Sequence, residues 1–183
     1  MDPMTIWPFK SFDRSRPGSG NTIGTIYGVI VARAREPAFY VDYGVPDTVD
    51  GRFDLVVLHL WMVVRQLAAS ADPQKLGQEL FDHFCSDMDA NLREMGVGDI
   101  SVPKRMQAFG EAFYGRAAAY DAALAAGHAT LAQALCKNVF NGRDPVQAER
   151  LATYVEVSVA QLAAADATAL ARCNWQFAAL RAQ

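Results

Sequence analysis

Three cysteines in 183 residues, with no Cys-x-x-Cys pair, exclude a disulfide framework and argue against a zinc site, which needs clustered ligands. Cys85, Cys136 and Cys173 lie far apart, each within a helical pattern, and read as reduced, buried thiols in a reducing compartment. A basic excess is also missing. With 17 Lys and Arg against 20 Asp and Glu, the formal charge is −3, and no basic face emerges, so nucleic acid is not an expected partner. Long hydrophobic runs are absent too. The most apolar stretch, Leu55 to Val64, is about half of what spanning a bilayer requires, and His59 interrupts it, so it reads as a buried core helix. The start shows no secretory signal. No run with β-hairpin chemistry, no fixed-period repeat and no Gly-x-Ser-x-Gly elbow occurs.

What is present is an ordinary globular balance, 51% apolar and 20% charged, in a chain long enough for one well-buried core and too short to suggest two domains. Residues 11–20, rich in Ser, Gly, Arg and Pro, continue a flexible leader over 1–20. The glycines Gly18, Gly20 and Gly24 lack the spacing and the preceding strand of a phosphate loop. The domain is expected over 21–183. Apolar spacing predicts helices over about 21–35, 49–69, 73–95, 102–126, 129–140, 145–165 and 167–181. Between the first two lies a short aromatic turn or helix stub at Phe39–Thr48. Asp47 or Thr48, Asp72, Ser101, Asp144 and Asp166 are the expected caps or helix openings, and Gly96 suits the left-handed position after a helix. The expected fold is therefore all-α, seven helices in an irregular bundle or orthogonal array.

The helix at 49–69 is apolar nearly all round and should be central. Its polar residues fall on two lines, Arg52, His59 and Gln66 on one and Asp50, Asp54 and Arg65 on the other. Charges there must be paired or reach the surface. The most enzyme-like constellation is His59 with His83, Asp87, Asp89 and Glu94. His83 and Asp87 share a helix face, but no Glu-x-x-His pair faces them from another helix, so a solvated acidic face is expected rather than a metal site. Cys85 sits near His83 in sequence but points elsewhere. His128 stands alone at a helix boundary. No catalytic residue, metal or cofactor is expected.

Charges and aromatics do cluster. Asp47, Asp50, Arg52, Asp54, Arg93, Glu94, Asp99, Lys104 and Arg105 gather at helix starts and at a Gly-rich loop, with Phe39, Tyr40, Tyr43 and Phe53 among them. Such a mixture suits a protein-binding surface. It serves equally as an ion-pair network that fixes loop geometry.

Three segments, together spanning about 39–120, carry a resemblance. They are Gly44-Val-Pro-Asp-Thr-Val-Asp-Gly-Arg-Phe-Asp54 with the apolar helix after it; Phe81-Asp-His-Phe with Asp87-Met-Asp89 running into Leu92-Arg-Glu-Met-Gly-Val-Gly-Asp99; and Val102-Pro-Lys-Arg-Met106 with Ala112-Phe-Tyr-Gly-Arg116. They resemble the ubiquinol–cytochrome c chaperone family. The resemblance implies an all-α, non-enzymatic assembly factor for complex III that binds newly made cytochrome b and holds it for haem acquisition. It looks like a bacterial member, cytoplasmic and acting at the inner membrane. The expected client face combines Phe39–Tyr43, residues 47–54 and the 93–105 loop. Two other readings stay open. One is a helical binding protein holding haem, quinone or lipid between helices, lined by Trp61, Met62, Phe84 and Met88. The other concerns Trp7, Phe9, Lys10, Arg14 and Arg16, which suit a peripheral membrane anchor as well as a disordered leader.

Overall fold

The computed structural model describes residues 22–68 and 73–180. Eight helices follow in order: α1 (Thr22–Ala34), α2 (Pro37–Val41), α3 (Val49–Ala68), α4 (Pro73–Glu94), α5 (Val102–Ala126), α6 (His128–Val139), α7 (Pro145–Ala163) and α8 (Ala167–Ala171). No strand occurs among the described residues. The expected leader and the Asp72 cap fall outside them.

Helix α3 is the axis, packed against α1, α4, α5, α6 and α7. Its sequence requires this position: Leu55 through Val63 are all buried, so no face is left for water. It is the predicted core helix, and no described helix is long and apolar enough to cross a membrane. Around it the other helices present one apolar stripe each, such as Leu80, Phe84 and Met88 on α4 and Leu151, Val155 and Leu162 on α7.

Helix boundaries follow local chemistry. Asp144 and Asp166 cap α7 and α8 by accepting from Gln147 N and Ala169 N at 3.1 and 2.7 Å. Gly96 takes φ +78° after α4. Ser101 precedes α5, but its side chain makes no capping bond; backbone bonds from Ser101 N and Val102 N to Gly98 O start that helix instead. The aromatic stub expected at Phe39–Thr48 is helical only at its start, as part of the five-residue α2, and is turn and loop from Asp42 to Asp47.

The largest departure is at the C-terminus. A helix capped by Asp166 is expected over 167–181, whereas α8 stops at Ala171. Cys173 turns left-handed at φ +54°, Trp175 Nε1 donates back to Leu170 O at 3.1 Å, and the chain continues without helix so that Phe177 reaches the core. Burial of an aromatic side chain outweighs the few helical bonds forgone. The three cysteines are free and only half-buried, less enclosed than their helical patterns suggest.

Candidate functional site

Helix α3 carries two buried polar side chains near its middle and start, and they meet different surroundings. His59 is fully buried, with Nδ1 2.7 Å from Leu55 O and Nε2 2.8 Å from Tyr154 Oη. A carbonyl only accepts, so Nδ1 carries the proton and Nε2 accepts from the tyrosine. That hydroxyl in turn accepts from Arg33 Nε at 3.1 Å. Phe39 and Phe177 stand edge-on to the imidazole at 5.2 and 4.9 Å. Desolvation pushes the His59 pKa down to about 3, so the ring is neutral.

Toward the start of α3 the chain opens to solvent, with Val49 and Asp50 exposed and Arg52 and Phe53 half-buried. The start of α3 is fixed by the loop before it. Thr48 caps the helix, its Oγ1 accepting from Gly51 N at 3.1 Å. A Cβ at Gly51 would lie 2.1 Å from Pro46 O, so only glycine allows this close approach. Gly44, at φ +67°, turns the loop toward α7, where Arg150 donates to Asp42 O and stacks on Tyr43 at 4.6 Å.

One turn into α3, Asp54 is buried and accepts from Arg116 of α5 at 2.6 Å. Burial drives its carboxyl up to about 6, against the opposing pull of Arg116 and with a smaller push from Asp50. The Arg116 guanidinium also lies 5.8 Å from the Phe53 ring centroid. Two buried polar atoms near this pair, Arg116 Nε and Tyr120 Oη, make no hydrogen bond, in contrast to the saturated His59 network.

Above the pair is an open cleft of about 440 Å³ between the start of α3, the end of α4 and the first half of α5. Val49 and Phe53 form one wall, Met88, Leu92 and Met95 a second, and Phe109 and Ala112 a third. Asp50 and Arg105 stand in its lining, and Asn91 is held by a bond to Asp87 O at 2.7 Å. Val49 and Met95 remain 56% and 55% exposed, and Ile100 on the neighbouring loop 96%. Large apolar side chains left in water beside a concave apolar wall form a surface whose burial by a partner would be favourable.

The structure brings Asp50, Phe53, Asp54 and Arg105 of the predicted face together in this cleft. The others are placed differently. Phe39 and Tyr43 are buried in the core around His59 and Tyr154, so as surface residues they are corrected: their partners lie on α3 and α7, distant in sequence. Tyr40 is half-buried, donating to Ala34 O at 2.7 Å under the Arg52 guanidinium. Arg52 pairs with Asp47, and Arg93 with Asp89 and Asp99; these are the loop-fixing ion pairs that formed the alternative reading. Glu94 and Lys104 are exposed beside the cleft. On α4 the spacing of Met88, Leu92 and Met95 has the pattern of a core stripe, but the stripe runs out of the core at Met95. Arg116 carries no local signal of its pairing with Asp54, 62 residues away. Of the four residues offered as a cofactor pocket, Trp61, Met62 and Phe84 are core, and only Met88 reaches the cleft. His83 packs on Tyr27 at 5.1 Å, and Asp87 accepts from the Tyr27 hydroxyl at 2.9 Å. No group of three His, Cys, Asp or Glu among the described residues is arranged to share a metal.

An all-helical body whose central helix is sealed at one level and opens into an apolar, charge-rimmed cleft at another has the form of a helical binding protein. The model of the ubiquinol-cytochrome C chaperone family matches residues 41–177, and the chain belongs to that family. A solved structure, the Cbp3 homolog from Brucella abortus, superposes with a TM-score of 0.77 at 37% identity, covering 86% of this chain and 89% of that one. Ubiquinol-cytochrome-c reductase complex assembly factor 1 of Xenopus laevis is 26% identical over 137 residues, 73% of this chain and 68% of the relative. Protein CBP3, mitochondrial, of Saccharomyces cerevisiae is 32% identical over 130 residues, 68% of this chain but 38% of its own length. The aligned region thus spans well under half of the yeast relative.

Proposed function

We propose that this chain is an assembly chaperone for ubiquinol–cytochrome c reductase and that its client is newly made cytochrome b. The observation that carries the reading is the coincidence of the family match over 41–177 with an open apolar cleft inside that span. A client with membrane-spanning segments presents apolar surface and, on its cytoplasmic side, cationic loops. The cleft supplies the apolar complement, and the exposed acids Asp47, Asp50, Glu94 and Asp99 around it suit the cations. The proposed client face is Tyr40, residues 47–54, the 93–105 loop and the cleft between them. Holding a client there requires no chemical transformation, so the role is non-enzymatic. The site of action is the cytoplasmic face of the inner membrane, where the chain makes peripheral contact.

The test is capture of cytochrome b from cells assembling complex III by the tagged full chain, compared with Asp50→Ala/Asp99→Ala. Both positions are exposed, so the variant is expected to keep its helicity while losing most of the captured client. Undiminished capture by the folded double variant moves the site elsewhere, and absence of cytochrome b from the wild-type eluate rejects the client.

A further inference from the structure

We infer that the cleft is a helix-binding groove that takes the apolar face of an amphipathic helical segment of the client, with a client cation at Asp50 and a client anion at Arg105. This rests on the chaperone reading above and specifies what part of a client the site holds.

Shape comes first. Polypeptide segments dock as an added strand, as a polyproline helix or as an α-helix laid in a groove. The described residues contain no strand, so there is no sheet edge to extend. The cleft lies between three helices, and at about 440 Å³ it suits roughly three side chains at i, i+3 or i+4, and i+7, the anchor pattern of a helix. Its walls are adaptable. Met88 and Met95 are unbranched thioethers that refit around differing aliphatic shapes, as a chaperone meeting more than one apolar segment requires. Met95 and Val49 stand half in water at the mouth, where burial by a partner removes apolar surface from solvent.

Charge fixes the rest. On the floor, Asp54 and Arg116 neutralise each other at 2.6 Å. In the lining, Asp50 of α3 and Arg105 of α5 make no ion pair among the described residues. The cleft therefore offers one acid and one base on opposing helices, with no net preference for an anion such as a fatty acid. A helix carrying Lys on one flank of its apolar face and Glu on the other complements both, and the reverse order meets like charges.

The test uses the full chain and a fluorescein-labelled synthetic amphipathic helix with a Leu face, Lys on one flank and Glu on the other, followed by anisotropy. Met95→Asp is expected to weaken binding by at least about tenfold, since it places a charge in the apolar mouth. Arg105→Glu should weaken it severalfold and be rescued by a peptide whose Glu flank is changed to Lys. Val157→Asp, on α7 away from the cleft, should change nothing. Equal binding of a peptide with its Leu residues scattered round the helix overturns the proposal. So does unchanged affinity in Met95→Asp, or displacement of the peptide by stoichiometric decanoate, which would make the groove a lipid site. Cytochrome b capture is measured in parallel. Peptide binding that behaves as expected, in a wild-type chain that captures no cytochrome b, leaves the groove standing and rejects the client. Cytochrome b capture that survives Met95→Asp while peptide binding is lost rejects the groove as the client's seat.

Discussion

His59 and Asp54 lie five residues apart on the same helix, about 7.5 Å along its axis, yet one closes a core and the other underlies a cleft. Around His59 the Leu55 carbonyl and the Tyr154 hydroxyl use both ring nitrogens, and Tyr154, Arg33, Phe39 and Phe177 enclose it from four separate segments. Around Asp54 one strong pair to Arg116 leaves Arg116 Nε and Tyr120 Oη without hydrogen bonds. A buried polar group with every bond made specifies one packing and resists change. A partly satisfied pair beneath an open apolar wall has bonding capacity left over, and that is where a ligand can add something.

The sharpest way to break this contrast is to remove each group in turn. His59→Ala leaves a cavity and takes away the acceptor of the Tyr154 hydroxyl proton, and should cost about 3–5 kcal/mol in urea unfolding. Asp54→Asn keeps the shape and one acceptor for Arg116 and should cost no more than about 2 kcal/mol. Equal losses would mean that both groups are architecture and that the cleft has no special floor. A finer cut is Tyr154→Phe, which deletes only the hydroxyl joining Arg33 to His59. A loss of about 1–3 kcal/mol is expected, with cytochrome b capture per folded molecule unchanged. Reduced capture by the folded variant would tie the closed network to the site.

Acid titration separates the two groups by sign. His59 has its folded pKa lowered to about 3 from an ordinary 6.5, so below pH 6.5 the unfolded chain takes up a proton that the folded chain refuses. Its contribution is fully present above pH 6.5 and declines as pH falls toward 3, by at most about 1.4 kcal/mol per pH unit. Asp54 has its folded pKa raised from 3.8 to about 6. Between those values the folded chain holds the extra proton, so Asp54 favours the fold below pH 4 and that advantage is lost as pH rises toward 6. The two oppose one another from pH 6 to 4. Asp54→Asn should therefore steepen the acid loss of stability in that window, and His59→Gln should flatten it. Unchanged slopes in both would show that neither group governs the titration.

Much of this arrangement could be read from local pattern. The all-α class, the central position of α3 and six long helices follow from apolar periodicity and from Pro, Asp and Gly at the boundaries, because those signals act within one turn of chain. The misread elements depend on distant partners. Phe39 and Tyr43 look like surface aromatics in a short loop until Tyr154, on α7, packs against them. Asp54 finds Arg116 across 62 residues and His59 finds Tyr154 across 95, and no spacing rule pairs them. The C-terminal segment keeps a helical rhythm, but Phe177 gains more from the His59 pocket than α8 would from another turn. The cleft itself was half visible: its α3 side lay within a cluster of charges and rings, while its α4 side was concealed by a stripe that reads as core up to the last residue.

Arg93 gives the smallest effect and the cleanest separation of fold from face. Its guanidinium pairs with Asp89 at 2.7 Å and with Asp99, and these links fasten the end of α4 to the loop carrying Ile100. Asp99 is largely in water and Arg93 and Asp89 partly so, and in such surroundings pairs are screened and each partner is rehydrated when the link is cut. Arg93→Ala should leave the urea midpoint unmoved. The loop, however, forms one side of the proposed client face, and freeing Asp89 and Asp99 raises the negative charge there. Capture of a cationic client should then rise modestly at low salt and return to the wild-type level at high salt, as expected for a screened rim charge. A lowered midpoint would make the triad part of the architecture. An unaltered salt dependence would remove the 93–105 loop from the client face and leave the cleft as the whole of it.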